Sequence, residues 1–355
     1  MCLKIFRKPK NIYFKSPLKM YNNFNLFTLY LYKKEVTQLA KSQKYQIYIL
    51  LVFVMVTWGL NVIATKVIVT HFMPITITAL RVFTAGACVF IILGFLKKVR
   101  LPTRSEFRYI FFACLFNVVC HHFFLSLGLS KTSASNGGLI LGLGPLLTTI
   151  VAFFLLGARI TIIRVLGIIM GFTGVTFIVI LGNHGVSAVS IGDFYVFLAI
   201  FTQAFSFILI KKVSQTLDPR LMTGYMLVIG SVLLFIISLV KEPNGLKGIT
   251  HGSVDVWMIF LASAIIATAL GHMIYNYAIG KVGVAESAIF INLNPLFSLI
   301  GAVIFLDEQI TPAQIFGFIF ILVGVLFGSG ALEEFLNKSK QKNKLIYLKK
   351  TKDFN

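Results

Sequence analysis

The chain has 355 residues, 57% of them hydrophobic and 13% charged, against roughly a quarter charged in an average soluble domain. Its net charge of +21 sits on loops and tails, so no folded basic domain is left to bind nucleic acid. Between Ile47 and Gly330, apolar runs of membrane-span length follow one another, and a bilayer core takes about 20 helical residues.

In chain order, residues 1–46 come first, with ten basic residues against one acid, Glu35. They lack the apolar core and cleavage site of a signal peptide. They read as a dispensable cytoplasmic tail, either lying on anionic lipid or preceding a start at Met20. Ten spans follow, at 47–68, 75–96, 107–128, 132–156, 161–181, 192–210, 221–240, 256–279, 284–306 and 311–330. None shows the apolar–polar alternation of a barrel strand, so the fold class is all-α and polytopic. Residues 332–355 form a second basic tail.

Of the 33 Lys and Arg, 28 fall on the face shared by the two tails and four on the opposite one, with Arg81 inside a span. This positive-inside asymmetry predicts a multi-pass protein of the cell membrane with both termini cytoplasmic. The inner loop at 97–108 and the outer loop at 182–193 show the contrast locally. Cys2, Cys88, Cys114 and Cys120 fit neither a disulfide framework nor a zinc site; they read as small packing residues.

Sliding the chain by 150 residues lays 125–179 on 275–329 without a gap, with 14 identities in 55 positions. Pro145/Pro295, Thr161/Thr311, Gly167/Gly317 and Gly174/Gly324 carry the match, and His122/His272 extends it. With a shift near 145, Pro74 and Thr78 fall on Pro219 and Thr223. The chain is therefore two five-span repeats, 47–182 and 191–331. Because five is odd, the second enters the membrane inverted, as in secondary transporters that bind substrate near the midplane between the halves.

Within the fourth span, "NGGLILGLGP" (136–145) superposes on "ESAIFINLNP" (286–295) in the ninth. Pro145 and Pro295 each remove a backbone donor, and the freed carbonyls need partners away from lipid. Gly137, Gly138, Gly142 and Gly144 leave room either for a tightly packed helix or for a substrate. Asn292 and Asn294 occupy the Gly142 and Gly144 positions of the second repeat and offer amide contacts. Arg81 is the one charge well inside a span, and such groups are costly enough to mark function. Snorkelling competes there with a counter-charge for a substrate carboxylate. His121 and His122 fall in the outer-middle third span and His272 in the inner-middle eighth. His122 and His272 are proton-coupling candidates, because imidazole titrates near neutral pH. Glu286 reads as a solvated boundary residue and Glu308 as a start-of-helix residue. The stripes Gly167/Gly171/Gly174 and Gly317/Gly324/Gly328 read as packing faces within the chain or between the protomers of a homodimer. Catalytic motifs, metal-ligand sets and nucleotide loops are missing from the sequence, so no enzyme, metal or cofactor is expected.

The stretches "WGLNVIATK" (58–66), "ALRVFTAG" (79–86), "GLSKTSASNGGLILGLGPLLTTIVAFFLLGARIT" (128–161), "GDFYVFLAIFTQAFSFILIKK" (192–212) and "NLNPLFSLIGAVIFLDEQITPAQIFGFIFILVGVLF" (292–327) resemble the ten-span EamA branch of the drug/metabolite transporter superfamily. The resemblance covers about residues 47–330. It implies two inverted five-helix repeats around a central cavity lined by the first four spans of each half, and export of amino acids or other small metabolites. Carried over by position, it points to Trp58, Asn61, Arg81, Asn136, Pro145, Asn292 and Pro295; Gly142 and Asn294 join them from the repeat. The chain departs from the family pattern at Ala158, where Glu is common, at Ala204, where Trp is common, and at the His121–His122 pair. The expected function is a secondary carrier moving a small polar metabolite by alternating access, coupled to protons, with membrane lipid around it. A membrane-embedded enzyme acting on lipid and a small-ion channel are the alternatives.

Overall fold

A computed structural model of the chain describes residues 24–156, 161–181 and 190–328. The chain divides into two units, Met1–Gln46 and Ile47–Asn355. In the first, the described residues are helical from Phe24 onward; the second holds everything discussed below. The tail at 332–355 and the turn containing Ala158 lie outside the described residues.

All regular structure among the described residues is helical. The apolar helices are α1 (Lys44–His71), α2 (Pro74–Phe95), α3 (Arg104–Lys131), α4 (Ala134–Leu155), α5 (Ile162–Leu181), α6 (Ile191–Val213), α7 (Pro219–Lys241), α8 (Val254–Val282), α9 (Glu286–Leu306) and α10 (Pro312–Gly328). Eight contain stretches long and apolar enough to cross a bilayer, and α5 and α10 are shorter apolar helices. The protein is thus an all-α polytopic membrane protein. Helix starts follow local chemistry. Ser190 and Asp218 cap α6 and α7, accepting from the amides of Gly192 and Arg220 at 3.1 and 3.0 Å. Thr103 and Glu106 form a reciprocal capping box at the start of α3, each satisfying an otherwise orphaned amide of the other.

The two halves share local distortions. A π-helical segment interrupts α3 at Leu115–Cys120 and α8 at Ser263–Leu270, one turn ahead of the aligned histidines. The helical pattern of α4 breaks at Gly142–Leu143, and α9 tightens to a 3₁₀ turn at Ile291–Leu293, each just before the aligned proline. The halves are also inverted. Glu308, after the end of α9, accepts from the amides of Ala134 and Ser135 at the start of α4 at 2.8 and 3.0 Å. Glu242, after the end of α7, accepts from Ile75 and Thr76 at the start of α2 at 3.0 and 2.7 Å. Equivalent helices therefore run antiparallel.

Without a hydrophobic force between helices in lipid, close packing has to hold them. The two glycine stripes face each other along α5 and α10. A Cβ on Gly167 would lie 2.2 Å from the Gly328 nitrogen, and one on Gly324 would lie 2.5 Å from the Gly171 nitrogen. Of the two readings of these stripes, the described contacts are within the chain. Outward-facing side chains such as Phe154, Phe305 and Phe316 are exposed and apolar, as a lipid-facing surface requires.

Candidate functional site

A small cavity of about 50 Å³ lies between the halves, lined by Trp58, Asn61, Val62 and Thr65 of α1, His121, His122 and Leu125 of α3, Leu141 of α4, Ile200 and Gln203 of α6, His272 of α8, and Ile291 and Asn294 of α9. The π segments explain why polar groups meet here. A π turn leaves carbonyls without their usual i+4 donors, and in α8 other groups use them. Trp58 Nε1 donates to the Ala267 carbonyl at 2.9 Å, and His272 Nδ1 donates to that of Thr268 at 3.0 Å. The indole of Trp58 then packs against the His272 ring at a tilt of 49°, with centroids 4.9 Å apart.

The histidines read at different depths in the sequence converge, with centroids 5.0 Å apart for His121 and His122 and 5.9 Å for His122 and His272. Helical side chains lean toward the helix N-terminus. In antiparallel α3 and α8 this tilts both sets of rings back toward the midplane. His121 is held by donation from Nδ1 to the Ala199 carbonyl at 2.9 Å and by the Gln203 amide, which donates to Nε2 at 3.5 Å. His122 has neither nitrogen hydrogen-bonded, and His272 Nε2, Thr65 Oγ1 and Asn294 Oδ1 are also buried without partners. Buried polar groups normally have partners, so this cavity is supplied with groups for a solute or water to meet. Among the described residues, no group of three or more His, Cys, Asp or Glu is placed to hold a metal.

Arg81 is 1% exposed and stands behind the cavity wall. Its Nη1 donates to Ser263 Oγ at 3.0 Å and Thr268 Oγ1 at 2.9 Å. Ser263 in turn donates to Asn61 Oδ1 at 2.5 Å. No described carboxylate pairs with the guanidinium, so its charge reaches the cavity through Ser263 and Asn61.

Five of the sequence-derived site residues lie elsewhere. Gly142 packs on the proline of the other half, because a Cβ there would sit 2.6 Å from Pro295 Cγ, and a Cβ on Gly138 would sit 1.9 Å from Ser298 Oγ. The glycines and prolines of α4 and α9 therefore build a helix crossing, so Gly142, Pro145 and Pro295 do not line the cavity. Asn292 stands outside the lining. Asn136 is fully buried and accepts from the Gln314 amide at 2.8 Å. Glu286, read as solvated, accepts from the Tyr48 hydroxyl.

Sequence reasoning missed Thr65, Gln203, Ser263 and Thr268, which have no motif to mark them. It also missed Asp193, which falls where the outer loop at 182–193 overlaps the span at 192–210 and is 2% exposed in the first turn of α6. The capping-box spacing of "SIGD" (190–193) before an apolar run was a signal that α6 begins there.

Two inverted helical halves with polar and apolar side chains in the cavity between them match the architecture of multi-pass membrane transporters. The profile of the EamA-like transporter family matches residues 46–180 and 190–329, and the chain belongs to that family. It is 32% identical over 297 residues to the uncharacterized transporter YyaM of Bacillus subtilis, covering 81% of this chain and 94% of that one. It is 26% identical to a probable amino-acid metabolite efflux pump of Escherichia coli, covering 78% and 92%. A crystal structure 18% identical in sequence superposes with a TM-score of 0.58 over 80% of this chain and 96% of the other, a likeness of fold alone.

Proposed function

We propose that the protein is a secondary carrier in the cell membrane, with both termini cytoplasmic, that moves a small polar metabolite bearing a carboxylate by alternating access coupled to protons. The reading rests on one observation: a cavity between inverted halves with unpartnered polar groups, no carboxylate in its lining, and the unpaired cation of Arg81 behind it. A buried charge without a counter-ion is costly, and an anionic solute group supplies that counter-ion. At about 50 Å³ the cavity has room for a few waters, so solute enters only as the halves separate. On this reading His122 and His272, which line the cavity, exchange protons with the solute site. The E. coli relative named a probable amino-acid metabolite efflux pump favours export.

Comparing extracellular metabolites of cells with and without the gene identifies the solute. Flux of the strongest hit into proteoliposomes then tests the site. Arg81→Ala and Asn294→Ala are expected to abolish flux while leaving folded protein in the membrane; wild-type flux in both removes the cavity as the site. Conversion of the hit into a new compound favours the enzyme reading, and non-saturating flux without counter-exchange favours the channel.

A further inference from the structure

Away from the cavity, the structure buries a second polar cluster where α6, the α3–α4 joint and α10 meet. Asp193 Oδ1 accepts from the Thr132 hydroxyl, but Oδ2 is buried with no partner. Asn136 faces the same carboxylate, yet its Nδ2 is also unpartnered, while its Oδ1 accepts from Gln314 of α10 at 2.8 Å. The carboxylate oxygen and the amide donor lie close enough to interact but fall short of full hydrogen-bond geometry.

The charged neighbours do not neutralise this group. Lys66 of α1 gives its ammonium to the carbonyls of Leu129 and Thr132, both at 2.8 Å. Glu308, after α9, is spent on the start of α4. Lys131, at the end of α3, lines an open polar pocket with Lys66, Thr132 and Ser190. His121, deeper on α3, is tied to α6 through the Ala199 carbonyl. No ion pair to Asp193 forms among the described residues. A buried ionised carboxylate needs a partner or must neutralise, and a proton on Oδ2 neutralises it without any rearrangement.

We propose that Asp193 is a proton-binding site, filled from water through the Lys66–Ser190 pocket, whose charge state governs the Asn136–Gln314 link between the halves. On uptake, a proton from water bonds to Oδ2 and the carboxylate becomes a neutral acid; on release, the carboxylate draws in the Asn136 amide. Thr132 and Asn136 belong to the first half and Asp193 and Gln314 to the second, so the proton acts on a joint between them. Only the link to solute movement rests on the carrier reading; proton binding itself does not.

Infrared difference spectra of the purified protein, taken as a function of pH with aspartate carboxyls carbon-13 labelled, test the site without any substrate. Labelled protonated-carboxyl absorption from five aspartates is expected in the wild type, and Asp193→Asn is expected to lose one component of it, leaving the signal of the other four. In Thr132→Val, which removes the donor to Oδ1, the midpoint of that component is expected to move up by about one pH unit. A labelled spectrum unchanged by Asp193→Asn overturns the proposal, as does an unmoved midpoint of the Asp193 component in Thr132→Val. If Asp193→Asn does not fold, the Thr132→Val midpoint decides alone. Loss of all flux in the wild type would end the carrier reading and leave this component untouched.

Discussion

Arg81 is a side chain at which the proposed function and stability can be told apart. Its hydroxyl partners have their own acceptors: Ser263 donates to Asn61, and Thr268 donates to the Ser263 carbonyl at 2.9 Å. Removing the guanidinium therefore strands no donor. Replacing a buried charge by an apolar side chain of similar size is often neutral or stabilising, and Met226 already occupies the equivalent place in the second repeat. Arg81→Met is expected to keep or raise the melting temperature in detergent while abolishing solute flux; a large drop in melting temperature would make Arg81 structural. Asp218 behaves oppositely. Burial works to raise its carboxyl, but hydrogen bonds from the Arg220 amide and guanidinium outweigh it and hold the group below the usual carboxylate range. A carboxyl depressed on folding contributes stability that is present above its unfolded value, near pH 4, and is lost as pH falls through the folded one. Asp218→Ala is expected to cost about 1 kcal/mol near neutral pH, as helix N-caps do, and the difference from wild type should vanish in acid. Thermal unfolding at pH 7 and below pH 4 checks both limbs.

The ten helices were legible because each span is a sustained apolar run. The predicted spans 75–96 and 256–279 lie within a few residues of Pro74–Phe95 and Val254–Val282. The π segments were not legible, since Leu115–Cys120 and Ser263–Leu270 are as apolar as any helix and differ only in which carbonyls are freed. That hid Ser263 and Thr268 behind the cavity, although Trp58, Asn61, His122, His272 and Asn294 were singled out from the sequence and meet there. The glycines of α4 were legible as breakers, but sequence does not say which face of a helix meets its neighbour. Gly138 gives the sharpest test of the crossing. A Cβ there would approach Ser298 Oγ and Cβ at 1.9 and 2.3 Å, whereas one on Gly94 has nothing within 4 Å. Overpacking costs about 1–3 kcal/mol. Gly138→Ala is expected to lower thermal stability by that order, Gly94→Ala to leave it unchanged or slightly raised, and Ser298→Gly to rescue Gly138→Ala in part. An additive double variant would show that α4 and α9 do not meet there.

On the scale of the whole molecule, the two halves are alike in their distortions but not in how their faces are fastened. Glu242 and Glu308 each reach from one half onto the exposed amides that begin a helix of the other, and each also accepts from a hydroxyl, Thr76 at 2.8 Å and Ser135 at 2.6 Å. Both clamps lie on one face, the one that the charge asymmetry predicts to be external. Their repeat equivalents in sequence are Lys97 and Ala158, neither of which can accept from helix-start amides in this way. The opposite face is joined differently, by Arg100 donating to the Thr216 carbonyl at 2.9 Å, Tyr225 to the Arg100 carbonyl at 2.8 Å and Tyr48 to Glu286. On the carrier reading proposed above, removing the fastenings of one face shifts the population toward the state open there. Hydrogen bonds to a charged group contribute about 1.5–3 kcal/mol when buried; at these half-buried positions about 1 kcal/mol per clamp is the working figure, and every 1.4 kcal/mol shifts a population tenfold. Removing both clamps, about 2 kcal/mol together, should thus raise the population open on that face by about 25-fold. The measurement is labelling of Thr65→Cys, within the cavity, by a membrane-impermeant thiol reagent added outside cells, with Cys2, Cys88, Cys114 and Cys120 replaced. Glu242→Ala/Glu308→Ala should accelerate labelling about 25-fold and each single variant about 5-fold. Equal labelling in all four proteins would mean that the clamps cap helices without holding the face closed. Faster labelling only from the cytoplasmic side would mean that the orientation read from the basic residues is reversed.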